Sequence, residues 1–202
     1  MELSQTTLGQ NEKFINIYIR FFHWSLIVIF VILFITGERG DGADMLHIYL
    51  GYLLTSIIFS RILWGFIGNS DALWWKYLHS PVQVISYLRN IFKKGHRNYQ
   101  LHNPAGSSMI LVMIFLLVVL TVSGILLEAV LEFEGVMYFI SNYVTDSQAV
   151  IVKKMHGMVA HLMLFGIAFH IAGVVYSSYA YKVNMPLMMV TGKINFFSKK
   201  EK

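Results

Sequence analysis

The chain has no cysteine, only three prolines and few charges, and each shortage removes a class of structure or function. Without cysteine there is no disulfide, no thiolate-held iron–sulfur cluster and no Cys-x-x-Cys-His attachment of heme, so any heme must be held non-covalently. Asp, Glu, Lys and Arg make up 13% of the 202 residues and hydrophobic residues 56%, with a mean hydropathy of +0.58. That balance lies outside the range of soluble domains, and lipid is the expected solvent. The net charge of +5 would point to nucleic acid only as a basic patch on a soluble fold. There is no repeat, low-complexity tract or Pro-rich linker. The length suits one compact helical bundle, a single domain over residues 1–202, without room for a separate catalytic domain of ordinary size.

A hydrocarbon core needs about twenty mostly apolar residues in a helix. Four stretches qualify: Ile17 to Thr36, His47 to Ile67, Ala105 to Leu127 and Met155 to Tyr176. The expected fold is therefore an all-α membrane protein, a four-transmembrane-helix bundle. Asn103 before Pro104 reads as an N-cap with proline at the first helical position, and Thr145 with Gln148 as a capping box. Between the second and third spans, Ser80, Pro81 and Gln83 start a further helix over about residues 81–92. Val84, Ile85, Leu88 and Phe92 share one of its faces, the pattern of an amphipathic helix lying on the membrane surface. The first span is too long, and Gly37-Glu38-Arg39 too unlike a small-residue cleavage site, for a removable signal peptide.

Charge sets the expected direction, because Lys and Arg accumulate in cytoplasmic connections. The first and third connections (Glu38, Arg39, Asp41, Asp44; Glu128, Glu132, Glu134, Asp146, Lys153, Lys154) hold seven acids and three bases, net −4. The ends and the middle connection hold thirteen bases (Lys13, Arg20, Arg61, Lys76, Arg89, Lys93, Lys94, Arg97, Lys182, Lys193, Lys199, Lys200, Lys202) against Glu2, Glu12, Asp71 and Glu201. Their net is +9, and the two sides restore the +5 of the whole chain. Both termini and the amphipathic helix are thus expected in the cytoplasm, with the spans in a bacterial inner membrane.

Ionisable side chains at membrane depth are costly and usually functional. Five of the eight histidines fall in or beside the spans: His23, His47, His156, His161 and His170. His156 and His170 are fourteen residues apart, close to four whole turns, so they share a face about 21 Å apart along the axis. That spacing suits two stacked heme planes. His23 enters at the depth of His170 and His47 at the depth of His156, which gives an inner pair and an outer pair. Hydrogen-bonded polar contacts between helices are the competing explanation for these four. Two imidazoles on one iron leave no open position, a centre for electron transfer more than for oxygen chemistry.

Gly51 lies one turn after His47, Gly166 one turn before His170, and Gly157 and Gly173 near the two fourth-helix histidines. They would admit a flat macrocycle, and they fit ordinary small-residue helix packing equally well. His161 lies well around the helix from both neighbours and is expected to be structural, with proton or quinone handling as the alternative. His79, His96 and His102 belong to the cytoplasmic connection as surface or cap residues. Arg20, three residues before His23, is placed to pair with a propionate of the inner heme or to anchor the helix at the inner surface; Lys153 has the corresponding place before His156. The 11 Met, 15 Phe and 11 Tyr read as packing and interfacial anchoring.

These residues resemble the bacterial cytochrome b561 family, and more closely its branch of cytochrome b subunits of nickel-iron hydrogenases and related cytochrome b/b6-domain proteins. The likeness runs through Arg20-Phe21-Phe22-His23-Trp24, His47-Ile48-Tyr49-Leu50-Gly51-Tyr52, Leu63-Trp64-Gly65-Phe66-Ile67-Gly68 and His102-Asn103-Pro104-Ala105-Gly106. It continues through His156, His170-Ile171-Ala172-Gly173 and the closing Met189-Val190-Thr191-Gly192-Lys193. The resemblance implies two hemes b, with His23, His47, His156 and His170 as the axial ligands of the iron. It also implies electron exchange between membrane quinone and a periplasmic redox partner, such as a c-type cytochrome or a hydrogenase subunit. The chain would then be a non-catalytic electron-transfer subunit. Alternatives are a superoxide:quinone oxidoreductase working at the outer heme, which a basic funnel would favour, and a heme-free transporter or assembly factor. Arg61, Trp64 and His102 flank the inner face, where a quinone site could lie.

Overall fold

The computed structural model describes residues 15–38, 44–68, 72–90 and 103–194. Phe92, His96, His102 and the charged residues Glu2, Glu12, Lys13, Arg39, Asp41, Asp71, Lys93, Lys94, Arg97, Lys199, Lys200, Glu201 and Lys202 lie outside these. Every regular element among the described residues is helical. In hydrocarbon no water is available to backbone N–H and C=O groups, and a helix satisfies them internally. Among the described residues four helices are long and apolar enough to cross a membrane: α1 (Ile17–Gly37), α2 (Met45–Ile67), α4 (Pro104–Leu127) and α5 (Asp146–Tyr181). Two shorter ones, α3 (Pro81–Asn90) and α6 (Met185–Thr191), follow α2 and α5.

Only 11% to 22% of each span's most apolar window is buried, and Phe21, Val28, Phe59, Phe115, Phe165 and Phe169 point outward. A surface this apolar suits lipid and not water. The chain is a multi-pass membrane protein.

Side-chain oxygens cap the first turns, where four N–H groups have no intrahelical partner. Asn16 accepts from the Tyr18 amide at 2.8 Å, Asp44 from the His47 amide at 2.8 Å and Asn103 from the Gly106 amide at 2.8 Å. Thr145 and Gln148 form the expected capping box. Ser80 and Gln83 cap α3 reciprocally, at 2.9 and 3.3 Å. The cap at Thr145 starts α5 at Asp146, well before the apolar run that begins near Met155. Its 36 residues therefore extend over about 54 Å, more than the roughly 30 Å of a hydrocarbon core.

α1 packs on α2, α2 on α4, and α4 on α5. Their shared core is Ile29, Phe30 and Leu33 from α1, Leu54 and Ile58 from α2, Leu116, Leu117 and Leu120 from α4, and Val159 and Met163 from α5. All ten are apolar and lie midway along their helices. The bundle thus has an apolar middle layer between a near end, where α1 begins and α5 finishes, and a far end, where α1 finishes and α5 begins. At the far end α4 runs on into a π-helical segment, Glu128–Glu132, closed by Phe133 in the left-handed region at φ 55°.

Two clusters brace the near end. Arg20 donates to the Val190 carbonyl, Trp24 Nε1 to the Met189 carbonyl at 3.2 Å, and the Ile15 amide to the Gly192 carbonyl at 2.8 Å, so the end of α6 is tied to the start of α1. Gly192 closes α6 at φ 81° with Arg20 Nη1 2.7 Å from where a Cβ would be. In the second cluster Arg61, only 3% exposed, lies 4.4 Å from the Trp74 ring centroid and 5.9 Å from that of Tyr77, and donates to the Ala72 carbonyl at 3.2 Å. The Trp74 indole donates to the Ile62 carbonyl at 3.0 Å, directly over Gly65. A Cβ at Gly65 would overlap that indole. Gly65→Ala is therefore expected to destabilise the protein by about 1–3 kcal/mol, the usual cost of overpacking. Thermal unfolding in detergent checks this, and an unchanged midpoint would show that Trp74 does not hold this position in solution.

Candidate cofactor site

The helices bring four of the in-span histidines together as two pairs. At the near end His23 of α1 faces His170 of α5, with ring centroids 6.4 Å apart and planes at 53°. At the far end His47 of α2 faces His156 of α5, again at 6.4 Å, with planes at 65°. All four rings are half-buried. An imidazole nitrogen binds a metal at about 2 Å and the ring centre lies about 1 Å behind it, so two imidazoles on opposite sides of one ion hold their centroids about 6 Å apart. Both pairs have that separation.

The far-end rings are oriented by hydroxyls. His47 Nδ1 lies 3.0 Å from Thr36 Oγ1, and Thr36 donates its own proton to the Ile32 and Leu33 carbonyls at 2.9 and 3.1 Å. His156 Nδ1 lies 2.8 Å from Ser123 Oγ, which donates to the Leu120 carbonyl at 3.0 Å. A hydroxyl has one proton, so each accepts from the imidazole Nδ1–H and leaves Nε2 as the bare nitrogen. The Asp44 cap on the His47 amide fixes that histidine in the first turn of α2. Near-end His23 differs: its Nδ1 is buried without a partner among the described residues.

Around the far pair lies a cavity of about 380 Å³, lined by all four long helices and in good part by apolar residues, among them Phe30, Leu33, Leu54, Leu120 and Ala160. Such a volume suits a small molecule or cofactor. Gly51 and Gly157 both line it, and a Cβ on either would meet nothing within 4 Å. A Cβ on Gly173, which does not line the cavity, would also meet nothing within 4 Å, while Gly166 packs against Met109 and Met113. The cavity mouth carries Glu38, Glu128, Glu132 and Lys153. Tyr52 donates to Glu128 across it, and the Val136 amide donates to the Tyr52 hydroxyl at 3.4 Å.

The remaining candidates lie elsewhere. His161 stands apart from both pairs: its Nδ1 donates to the Gly157 carbonyl at 2.8 Å, its Nε2 is 3.6 Å from Glu38, and its ring meets Phe34 edge-on. His79 is held by the Tyr77 carbonyl at 3.1 Å. Arg20 spends one guanidinium nitrogen on Val190 and keeps a buried Nε that has no partner among the described residues. Trp64 stacks at a tilt on Tyr18, 4.8 Å away, with its indole nitrogen buried and unpartnered. Arg61 is committed to its aromatic cage. Thr36 and Ser123 are the site residues that the sequence reading missed. Ser123 belongs to the one span without a histidine, and Thr36 to a different helix from the histidine it serves.

The family model described as prokaryotic cytochrome b561 matches residues 15–192. The chain belongs to the prokaryotic cytochrome b561 family. It is a multi-pass membrane cytochrome of the b type, and its chemistry is electron transport. It is similar to a probable Ni/Fe-hydrogenase B-type cytochrome subunit of Azotobacter chroococcum mcd 1, 28% identical over 44% of this chain and 47% of that protein. The match thus spans just under half of the relative's length. No solved structure matches the chain.

A b-type cytochrome carries heme b, and the residues of this bundle fit it. Both imidazole pairs have the separation of two ligands on one metal, and the far pair borders a cavity whose glycines leave room for a flat ring. Side chains added at Gly51 and Gly157 are therefore expected to leave the fold intact and displace the cofactor. Gly51→Val and Gly157→Val should reach wild-type yield in membranes yet lose heme, read as the heme-to-protein ratio. An unchanged ratio would mean that this open space faces lipid.

Proposed function

We propose that the chain, as a single domain, carries electrons across a bacterial inner membrane, between the membrane quinone pool and a periplasmic redox partner, through two bis-histidine hemes b. The observation behind this is the pair of equal 6.4 Å histidine couples at opposite ends of the bundle, with an apolar layer between them. The near end is the cytoplasmic one, because the Lys and Arg excess of the chain collects in the connections on that side. His23 and His170 hold the inner heme and His47 and His156 the outer one. Bound between such pairs, heme b supplies a one-electron iron couple with no open coordination position.

The protein's part is to hold, orient and insulate. The four imidazoles would hold the hemes, and the apolar middle layer would separate them. The unpartnered Nε–H of Arg20 offers a propionate partner at the inner site, and Lys153 at the mouth of the far cavity offers one outside. α3 turns Val84 and Tyr87 inward and leaves Val82, Ile85 and Leu88 exposed, as a helix resting on the cytoplasmic membrane surface would. Quinone meets the inner side. The relative's printed name makes a hydrogenase subunit the favoured periplasmic partner, with a c-type cytochrome as the other candidate. A superoxide:quinone oxidoreductase would need a basic mouth to draw in its anion, whereas three glutamates and one lysine line this one.

Purified protein should contain two hemes b per chain with low-spin spectra. His156→Ala and His47→Ala should perturb one and the same heme, His170→Ala and His23→Ala the other, and His161→Ala neither, as followed by reduced-minus-oxidised spectra and potentiometry. Crossed grouping, with His23→Ala matching His156→Ala, or one heme per chain, would overturn the assignment.

At the outer surface Glu132, Glu134 and Asp146 lie close in sequence to the exposed Phe133, Val136, Phe139 and Tyr143, a surface for a basic partner face. Electron delivery from the native partner should slow as salt shortens the Debye length from about 30 Å at 0.01 M to about 3 Å at 1 M. A rate independent of ionic strength would exclude docking through these acids.

A further inference from the structure

The two histidine pairs are equal in spacing and unequal in what stands behind them. At the far end each Nδ1–H has an acceptor, Thr36 Oγ1 at 3.0 Å and Ser123 Oγ at 2.8 Å. Both hydroxyls are themselves polarised, since Thr36 donates to the Ile32 and Leu33 carbonyls and Ser123 to the Leu120 carbonyl of its own helix. At the near end His23 Nδ1 is buried with no partner, and His170 makes no ring hydrogen bond among the described residues. An imidazole that donates through Nδ1 becomes a more basic ligand at Nε2. A chain of hydrogen bonds in a low-dielectric interior strengthens each member, so a hydroxyl already donating to a carbonyl is a better acceptor.

A more basic imidazole stabilises the ferric state of an iron bound to it more than the ferrous state, which lowers the midpoint potential. Local charge acts in the same direction. The far cavity is edged by Glu38, Glu128 and Glu132 against one Lys153, and negative charge nearby favours the more positive iron. The near pair has Arg20 one turn before His23 on α1.

We propose that Thr36 and Ser123 are positioning residues that hold the outer heme at a lower midpoint potential than the inner one, so that electrons run inward. This rests on the assignment of His47 with His156 and of His23 with His170 to two hemes. Inward transfer oxidises a one-electron donor at the periplasmic end and reduces quinone at the cytoplasmic end. Two such transfers and two protons from the cytoplasmic side make one quinol. Neither Thr36 nor Ser123 lines the far cavity; each acts through the histidine it orients.

The test is potentiometry of the purified holoprotein with optical and low-temperature electron paramagnetic resonance detection, on Thr36→Val, Ser123→Ala and the double variant. The outer component is identified as the one that His47→Ala and His156→Ala remove. In wild type it should have the lower midpoint. Each single variant should raise that midpoint and shift the ferric low-spin g values of the same component, leaving the other component in place. The double variant should lower the oxidised-to-reduced ratio of the outer heme at fixed potential about tenfold, which is 59 mV for a one-electron couple. Thr36→Ser and Ser123→Thr keep a hydroxyl and should restore the wild-type value, which a merely structural role would not require. If Thr36→Val loses heme, Ser123→Ala and Ser123→Thr on the other helix carry the same test. Midpoints unmoved in these variants, or an outer component that lies above the inner one in wild type, would overturn the proposal. Failure of the two-heme assignment shows separately, in the heme count and in the grouping of the histidine variants.

Discussion

A histidine at membrane depth has two ring nitrogens to satisfy and no water to satisfy them with. One nitrogen can be a donor and the other an acceptor, and an unmet polar group in hydrocarbon costs several kcal/mol. The bundle answers this by facing histidine to histidine across helices at 6.4 Å. Bringing two neutral imidazoles face to face gains little by itself; a metal between them would satisfy both nitrogens at once. Much else in the bundle follows from that requirement. α5 must span both pairs, α1 and α2 must run antiparallel to present one histidine at each end, and α4 must pack against α2 and α5 to close the far cavity without contributing a ligand.

The middle layer makes the arrangement useful. Leu117 and Met163 are almost wholly buried, and with their apolar neighbours they form the shared core between the pairs. Charge cannot leak through such a layer as ions or protons, because an ion there would be stripped of water without a partner. Electron transfer between two sites is compatible with it, since that needs no solvated path. The charged groups cluster at the two ends: the Arg61 cage and the Arg20 tie at the near end, and the Tyr52–Glu128 bond and the cluster of glutamates at the far end, while Thr55 and Thr121 within the spans bond to carbonyls of their own helices.

The ends are built differently. At the near end the last turn of α6 is bonded to the first turns of α1, and the Trp74 segment folds back under α2 over Gly65. The far end is closed by a π-helical turn, a left-handed Phe133 and a left-handed Gly135 packed against Glu128 and Tyr52. π-helical turns often mark functional sites, and here one carries Glu128 and Glu132 to the cavity mouth.

The sequence by itself determined the spans, most of the caps and the histidine spacing. These depend on local quantities: about twenty apolar residues per crossing, a cap residue followed by its helix, and a fixed rotation per residue that puts His156 and His170 on one face. Even so, α5 begins at Asp146 and not near Met155, because a capping box and not apolarity sets a helix start. What only the tertiary structure decided is which side chains from other helices stand behind each histidine. Thr36 reaches His47 from a neighbouring helix, and Ser123 reaches His156 across 33 residues. No periodicity encodes those meetings, since they depend on how two helices are rotated against each other. Arg20 shows the limit in the other direction: its spacing from His23 was legible, but its bond to Val190, 170 residues on, exists only because α6 folds back onto α1.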